Sequence, residues 1–326
     1  MRGVERNVLL GATLAGSRVV AVGEHGSIAL SDDAGASWRQ AQRVPVGVTL
    51  TGVRFVDARE GWAVGHAGVV LHTSDAGETW SLQLDGVSLA RTALREAQAR
   101  AQEAGQDNTE EQRALRSAQL LVDDGPDKPF FDLDFVDRLH GIVVGAYNLI
   151  YATSDGGATW QSWSGRTENP KSLHLYAVRR QGIGIYLAGE QGLFMRSLDD
   201  GKSFKRIVTP YQGSWFAMAA PANGSIVLAG LRGNAYRSVD DAKTWRQLTG
   251  APTMTFVSVV AVDERAVLLA NQAGQVFAAS PGTDDLRPLS TSPLPMLTGL
   301  MLNSDRSYLA LTVQGVRHLP APEAGK

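Results

Sequence analysis

A chain of 326 residues with 44% apolar content can bury a large core, and a net charge of −2 gives no basic face for generic nucleic-acid binding. Cysteine is absent, which excludes disulfides, thiolate zinc sites and thiol catalysis together. No stretch reaches the ~18 consecutive apolar residues of a membrane helix.

The N-terminal stretch MRGVERNVLL sets two arginines before an apolar run, as a signal peptide does. Residues Val19 to Trp38 already belong to a repeat, however, so the stretch reads as folded structure. One landmark of the repeat is an apolar strand running into a small-residue turn: AVGEHGSIALS from Ala21, AVGHAGVVLHT from Ala63, VVGAYNLIYAT from Val143, LAGEQGLFMRS from Leu187 and LAGLRGNAYRS from Leu228. LANQAGQVFAAS from Leu269 and LALTVQGVRHL from Leu309 continue the series.

The second landmark is an octet with Ser/Thr, Asp, Gly and an aromatic at its first, third, fifth and eighth positions. It occurs at Ser31–Trp38, Thr73–Trp80, Thr153–Trp160, Ser197–Phe204 and Ser238–Trp245, where Ala242 replaces the glycine. The terminal aromatics are 42, 80, 44 and 41 residues apart, so the long interval holds an insertion. Each unit carries four short strand-like runs, in the second unit TGVRFVD, GWAVG, VVLHTS and TWSLQL. Four strands per period of about 40–45 residues predict a β-propeller of four-stranded antiparallel blades. Seven units are present, and the last stops after its third strand, near Leu319. Residues Arg2 to Val8 are expected to supply the missing strand and close the ring, removing its exposed edge. The expected organisation is one seven-bladed all-β domain over residues 1–326, with an insertion at 86–128.

Within the insertion, SLARTALREAQARAQEAG and NTEEQRALRSAQLLV are rich in helix formers, with Gly105 and Asn108–Glu111 as stop and start signals. They predict a helical hairpin in which Leu89, Ala93, Ala97 and Ala101 pack on Leu115, Ala118 and Val122. Five arginines balance five acids between residues 88 and 122, so the hairpin is no basic arm.

A short aspartate in a hairpin turn accepts hydrogen bonds from that turn's own N–H groups, and a neighbouring hydroxyl joins it. Asp33, Asp75, Asp155, Asp199 and Asp240 are therefore read as turn staples rather than catalytic acids. The octets are identified as Asp-boxes, also called bacterial neuraminidase repeats. Residues 61–80, GWAVGHAGVVLHTSDAGETW, resemble the photosystem II stability/assembly-factor family of propellers. That resemblance implies a seven-bladed, non-enzymatic, periplasmic or otherwise extracytoplasmic protein that assists a membrane protein complex. A signal sequence would then have been removed and Met1 added. Outside phototrophs the resemblance implies a client such as a transporter of the resistance-nodulation-division type. No cofactor or metal is implied, and the oligomeric state stays open.

Asp-boxes also occur in sialidases, so a glycan-binding or glycoside-hydrolase propeller is the alternative. Its carboxylates would be Asp132 and Asp134 in FFDLDFVD, which strand alternation sets on the channel side, opposite Phe131, Leu133 and Phe135. Arg54 aligns with Asp134 in the neighbouring blade, and a channel salt bridge is the favoured reading of these groups. No Arg-Ile-Pro segment, Gly-x-Ser-x-Gly elbow, P-loop or His-x-x-x-His pair is present.

The octets lie in the turns between third and fourth strands. The turns between second and third strands emerge at the opposite end and are unlike one another, as a recognition surface would be. They carry Glu24, His25, His66, Tyr147, Asn148, Glu190, Gln191 and Arg232, and the insertion, with Arg91 and Arg95, rises on the same face. Trp163, Tyr211 and Trp215, in or beside the links between blades, are expected aromatic anchors.

Overall fold

The computed structural model describes residues 3–320 apart from 106, 222, 264, 265, 281, 290 and 291. Strands form in chain order into six four-stranded antiparallel sheets and one three-stranded sheet. Blade two has strands Leu50–Phe55, Gly61–Gly65, Val70–Thr73 and Ser81–Leu84, close to the predicted runs. The first strand of each blade lies beside that of the next, and blade seven's lies beside blade one's, so the sheets form a ring. At the closing seam, Thr298 Oγ1 donates to the Leu9 carbonyl at 2.6 Å.

Each sheet is buried on both faces, because an apolar layer separates it from each neighbour. Between blades one and two the layer contains Val20, Leu30, Phe55, Leu71 and Trp80; between blades two and three, Trp62 stacks on Phe135 with ring centroids 3.8 Å apart. This explains why the second strands, such as Gly61–Gly65 and Ile226–Gly230, are buried at every position and show no polar alternation.

One irregularity recurs in all seven blades. The register slips by one residue near the start of the first strand, at Leu9/Gly11, Leu50/Gly52, Phe130/Asp132, Leu175/Ala177, Trp215/Ala217, Phe256/Ser258 and Leu297/Gly299. A bulge inserts one residue and reverses the facing of what precedes it. Phe130 is therefore fully buried, while Phe131 is partly exposed and lines the channel, not the core side that simple alternation assigned to it.

Blade seven has three strands among the described residues, Leu297–Leu302, Tyr308–Thr312 and Gly315–Leu319. Arg2 lies outside the described residues, and the expected closing strand takes another form: Val4–Arg6 is one 3-10 turn. It wedges between the last strand of blade seven and the third and fourth strands of blade one. The Arg6 and Asn7 N–H groups bond within the turn, to the carbonyls of Gly3 and Val4, so they do not enter a ladder.

The insertion forms helices α1 (Gly86–Ala104) and α2 (Thr109–Asp124). Asp85 and Ser88 make a reciprocal capping box for α1, and Asn108 caps α2 by accepting from the N–H groups of Glu110 and Glu111. Leu89, Ala97 and Ala101 are buried as the spacing predicts, whereas α2 buries no residue fully.

Candidate functional site

The ring encloses a channel of about 770 Å³ lined by the first strands of all seven blades. Its two mouths differ in chemistry.

One end carries the Asp-boxes. In blade two, Thr73 Oγ1 donates to Asp75 at 2.8 Å and accepts the Gly77 N–H at 3.1 Å. Asp75 also accepts the N–H and hydroxyl of Thr79, at 2.9 and 2.6 Å. Asp33, Asp155, Asp199 and Asp240 make the same bonds to residues 37, 159, 203 and 244. Gly77 has φ +85, which glycine adopts freely; Ala242 holds the same place at φ +61, its N–H still on Ser238 Oγ at 2.9 Å. Bonds from Ser37 hold the Asp33 carboxyl down to about 2, and bonds from Thr244 do the same for Asp240. These carboxylates keep their charge and have no open role. Each ties its own turn together through these bonds.

In the channel wall, Asp134 Oδ1 lies 3.2 Å from Arg54 Nη2, and its other oxygen accepts the Arg180 N–H at 2.6 Å. Asp132 Oδ2 accepts the Val178 N–H at 2.9 Å and pairs with Arg179 at 2.5 Å. Both side chains thus bridge blade three to blade four, and Asp134 also reaches blade two. The hydrolase alternative needs one protonated and one free carboxyl flanking a bond. These two already bond arginine side chains and backbone N–H groups across the blade boundaries, which is the arrangement of salt bridges in the channel wall.

The other end carries the second-to-third turns. The first N–H of each turn donates to the carbonyl just before that blade's first strand: Glu24 to Val8, His66 to Thr49, Ala146 to Pro129, Glu190 to His174, Leu231 to Ser214, Gln272 to Thr255 and Val313 to Met296, at 2.8–3.1 Å. A Cβ on Gly145 would lie 2.2 Å from the Pro129 carbonyl oxygen, which explains the small residue at this landmark. The seven turns therefore share one face with the links between blades. The hairpin roots there too: a Cβ on Gly68 would lie 3.0 Å from Gly86.

His25, His66, Tyr147, Gln191 and Arg232 are exposed on this face, as are Arg91 and Arg95 on α1; Glu24 and Glu190 are half-buried. Two expected contact residues are corrected. Trp215 has no exposure, because the bulge turns it into the layer between blades four and five and presents Phe216 instead. Asn148 is 7% exposed and replaces a turn glycine at φ +64, its amide donating to Ser164 O and Thr167 Oγ1 at 3.1 and 2.8 Å. Trp163 and Tyr211 are half-buried, Trp163 in the layer beside Phe204 and Tyr211 donating to the Leu231 carbonyl at 3.2 Å.

Four ring residues that the sequence reading did not single out line this mouth beside Tyr147. Tyr147 meets His174 at 4.7 Å between centroids, His174 meets Phe131 at 6.1 Å, Phe131 meets Tyr176 at 5.2 Å, and Tyr176 meets Phe216 at 5.0 Å. The arc runs from a turn of blade three to the channel wall of blade five. Its signal in the sequence is the aligned series Phe130-Phe131-Asp132, Leu175-Tyr176-Ala177 and Trp215-Phe216-Ala217, a large buried residue before the presented one and a smaller one after it.

A sequence profile of the family described as photosynthesis system II assembly factor YCF48 matches residues 12–98 and 110–316. Over 76 residues the chain is 34% identical to the photosystem II assembly lipoprotein Ycf48 of Synechococcus sp. (strain CC9902), a stretch spanning only 23% of each protein. Among solved structures it is similar to YCF48 bound to D1 peptide, with TM-score 0.69 and 14% identity over 97% of this chain and 94% of that one. YCF48 from Cyanidioschyzon merolae gives a TM-score of 0.68 and 15% identity over 98% and 97%. At these identities the structural likeness is one of fold.

Proposed function

This chain belongs to the photosynthesis system II assembly factor YCF48 family, and we propose that it is a non-catalytic assembly or accessory protein that docks a membrane-protein client on the face carrying the second-to-third turns and the hairpin. The observation that carries this reading is the contrast between the two ends. One end repeats a self-satisfied turn five times; the other presents different side chains in every blade, an arc of rings and an inserted hairpin. A repeated, internally bonded surface offers a partner few free donors or acceptors. A varied one with half-buried rings has the composition of a recognition core.

The client is proposed to be a membrane protein, or a complex containing one, met from the periplasmic or otherwise extracytoplasmic side. In support, one relative is named a lipoprotein and another was solved with a D1 peptide. No helix among the described residues is long and apolar enough to cross a membrane, so membrane contact is proposed to come through the client. Photosynthesis is not part of the proposal; outside a phototroph a transporter of the resistance-nodulation-division type is the first client to test.

Deleting residues 88–124 is the direct experiment. The two ends of the insertion lie together, since a Cβ on Gly86 would come within 2.8 Å of Pro126. The shortened chain is expected to keep its strand circular dichroism and to lose most of its capture of the client from detergent-solubilised membranes. Undiminished capture would count against the hairpin's part in docking.

A further inference from the structure

The arc of rings at the channel mouth has a charge pattern that selects its ligand. Several ionic groups near it or in the channel wall have partners of opposite sign. Asp132 is paired with Arg179, Asp134 with Arg54, Arg180 with Asp200, and Lys128 with Asp124 and Asp127. Glu190 is different. Its carboxylate accepts the His174 N–H at 2.9 Å and lies 3.6 Å from His174 Nδ1. That Nδ1 also accepts the Tyr147 N–H at 3.1 Å, which fixes the imidazole between the turn of blade three and Glu190. Among the described residues no lysine or arginine side chain pairs with Glu190. Its field reaches Tyr176, whose phenol is pushed up to about 12 by burial and then by the Glu190 charge.

The outer ring of the arc already holds a cation. Lys128 Nζ sits over Tyr147, 5.5 Å from the ring centroid. Among the described residues the inner rings, Tyr176 and Phe216, have no such partner, although they are half-buried and lie 5.0 Å apart, with Tyr176 also within reach of the Glu190 charge. Aromatic faces attract ammonium and guanidinium groups, more strongly where water is partly excluded, and a nearby carboxylate adds to the attraction.

We infer that Tyr176, Phe216 and the Glu190 carboxylate form a subsite for one lysine or arginine side chain of the docked partner. An aliphatic anchor would gain the ring surfaces but would desolvate Glu190 without replacing its lost hydration. An acidic one would be repelled. Arg54 and Arg179 in the channel wall are already paired with Asp134 and Asp132. The inference rests on docking at this face, but it makes a claim that needs no client to test.

The probe is Nα-acetyl-arginine amide, titrated into 15N-labelled protein and followed by NMR, with the citrulline and norleucine analogues as neutral controls. Saturating shifts are expected at the amides of Tyr176, Glu190 and Phe216, with citrulline and norleucine binding about tenfold more weakly, the equivalent of ~1.4 kcal/mol. Glu190→Gln and Phe216→Leu should each weaken the arginine probe several-fold while leaving the remaining spectrum intact. Norleucine binding as well as arginine would overturn the inference in favour of an apolar anchor. Equal binding by citrulline, or no shift up to about 20 mM probe, would overturn it too. The comparison of probes on the unmodified protein stands even if a variant folds poorly. Failure of client capture with a positive titration would instead fault the docking reading.

Discussion

Asp75 accepts both the backbone N–H and the hydroxyl of Thr79, at 2.9 and 2.6 Å, across a turn whose other arm is tied by Thr73. Hydrogen bonds to a charged acceptor contribute about 1.5–3 kcal/mol each at most, and exposure of the Thr79 pair reduces that. Asp75→Ala is expected to cost about 2 kcal/mol, read as a lower urea midpoint with unchanged slope, and to leave client capture unaltered at saturating protein. Loss of capture in a folded Asp75→Ala protein would give the box face a role it is not assigned.

The same turns predict how stability varies with acid. Ser37 and Thr244 hold Asp33 and Asp240 down to about 2. Asp155 and Asp199 are lowered by hydroxyl and N–H bonds; in Asp75 burial pushes the other way but the bonds to Thr79 and Thr73 win. A carboxyl whose folded pKa is depressed binds its proton more readily in the unfolded chain. Its contribution is therefore complete above the unfolded value, about 4, and is lost as pH falls through the folded one. The melting temperature should hold from pH 7 to 5 and drop between about 4 and 2. The Asp33→Asn, Asp240→Asn double variant should start lower but fall less steeply; an equal slope would mean that other groups drive the transition.

Blade six lacks an Asp-box, and its turn borrows a donor from next door. Arg237 of blade five is 5% exposed and donates to the carbonyls of Ala279, Ser280 and Thr283 at 3.2, 3.1 and 3.4 Å. Burial lowers its pKa, with the Asp284 charge opposing that shift. Arg237→Met keeps the stem but orphans these carbonyls, and should cost about 2 kcal/mol or more. An unchanged urea midpoint would show that the turn is held some other way.

Asn148 separates structure from recognition in one residue. Asn148→Gly suits φ +64 but removes bonds to Ser164, Thr167 and Asn169. It should lower stability by about 1–2 kcal/mol with client affinity kept once the protein is saturatingly folded. Tyr147→Ser, one residue earlier and exposed, should do the reverse.

Blade number and hairpin were legible because each has a signal that survives local variation: a period of about 40 residues and a run of helix formers with caps. The faces of individual side chains were less so. Period-2 alternation assigns Phe131 to the core and leaves Phe130 outside it, and a single inserted residue reverses both. Hydropathy cannot detect the swap where both neighbours are aromatic, as in Phe130-Phe131 and Trp215-Phe216. Only comparison across the seven blades reveals that the first of each pair is always the buried one. The N-terminal turn escaped for a related reason: the Arg6 and Asn7 N–H groups bond locally to Gly3 and Val4, which no strand pattern reports.

The central claim is that the client sits on the varied face. Photo-crosslinking residues placed singly at His66, Tyr147 and Arg232 on that face, and at Asp32, Ser154 and Val239 in the box turns, test it directly in native membranes. The account predicts crosslinks to one membrane protein from the first three positions and none from the others. Crosslinks to that protein from the box turns, or from both ends equally, would contradict it.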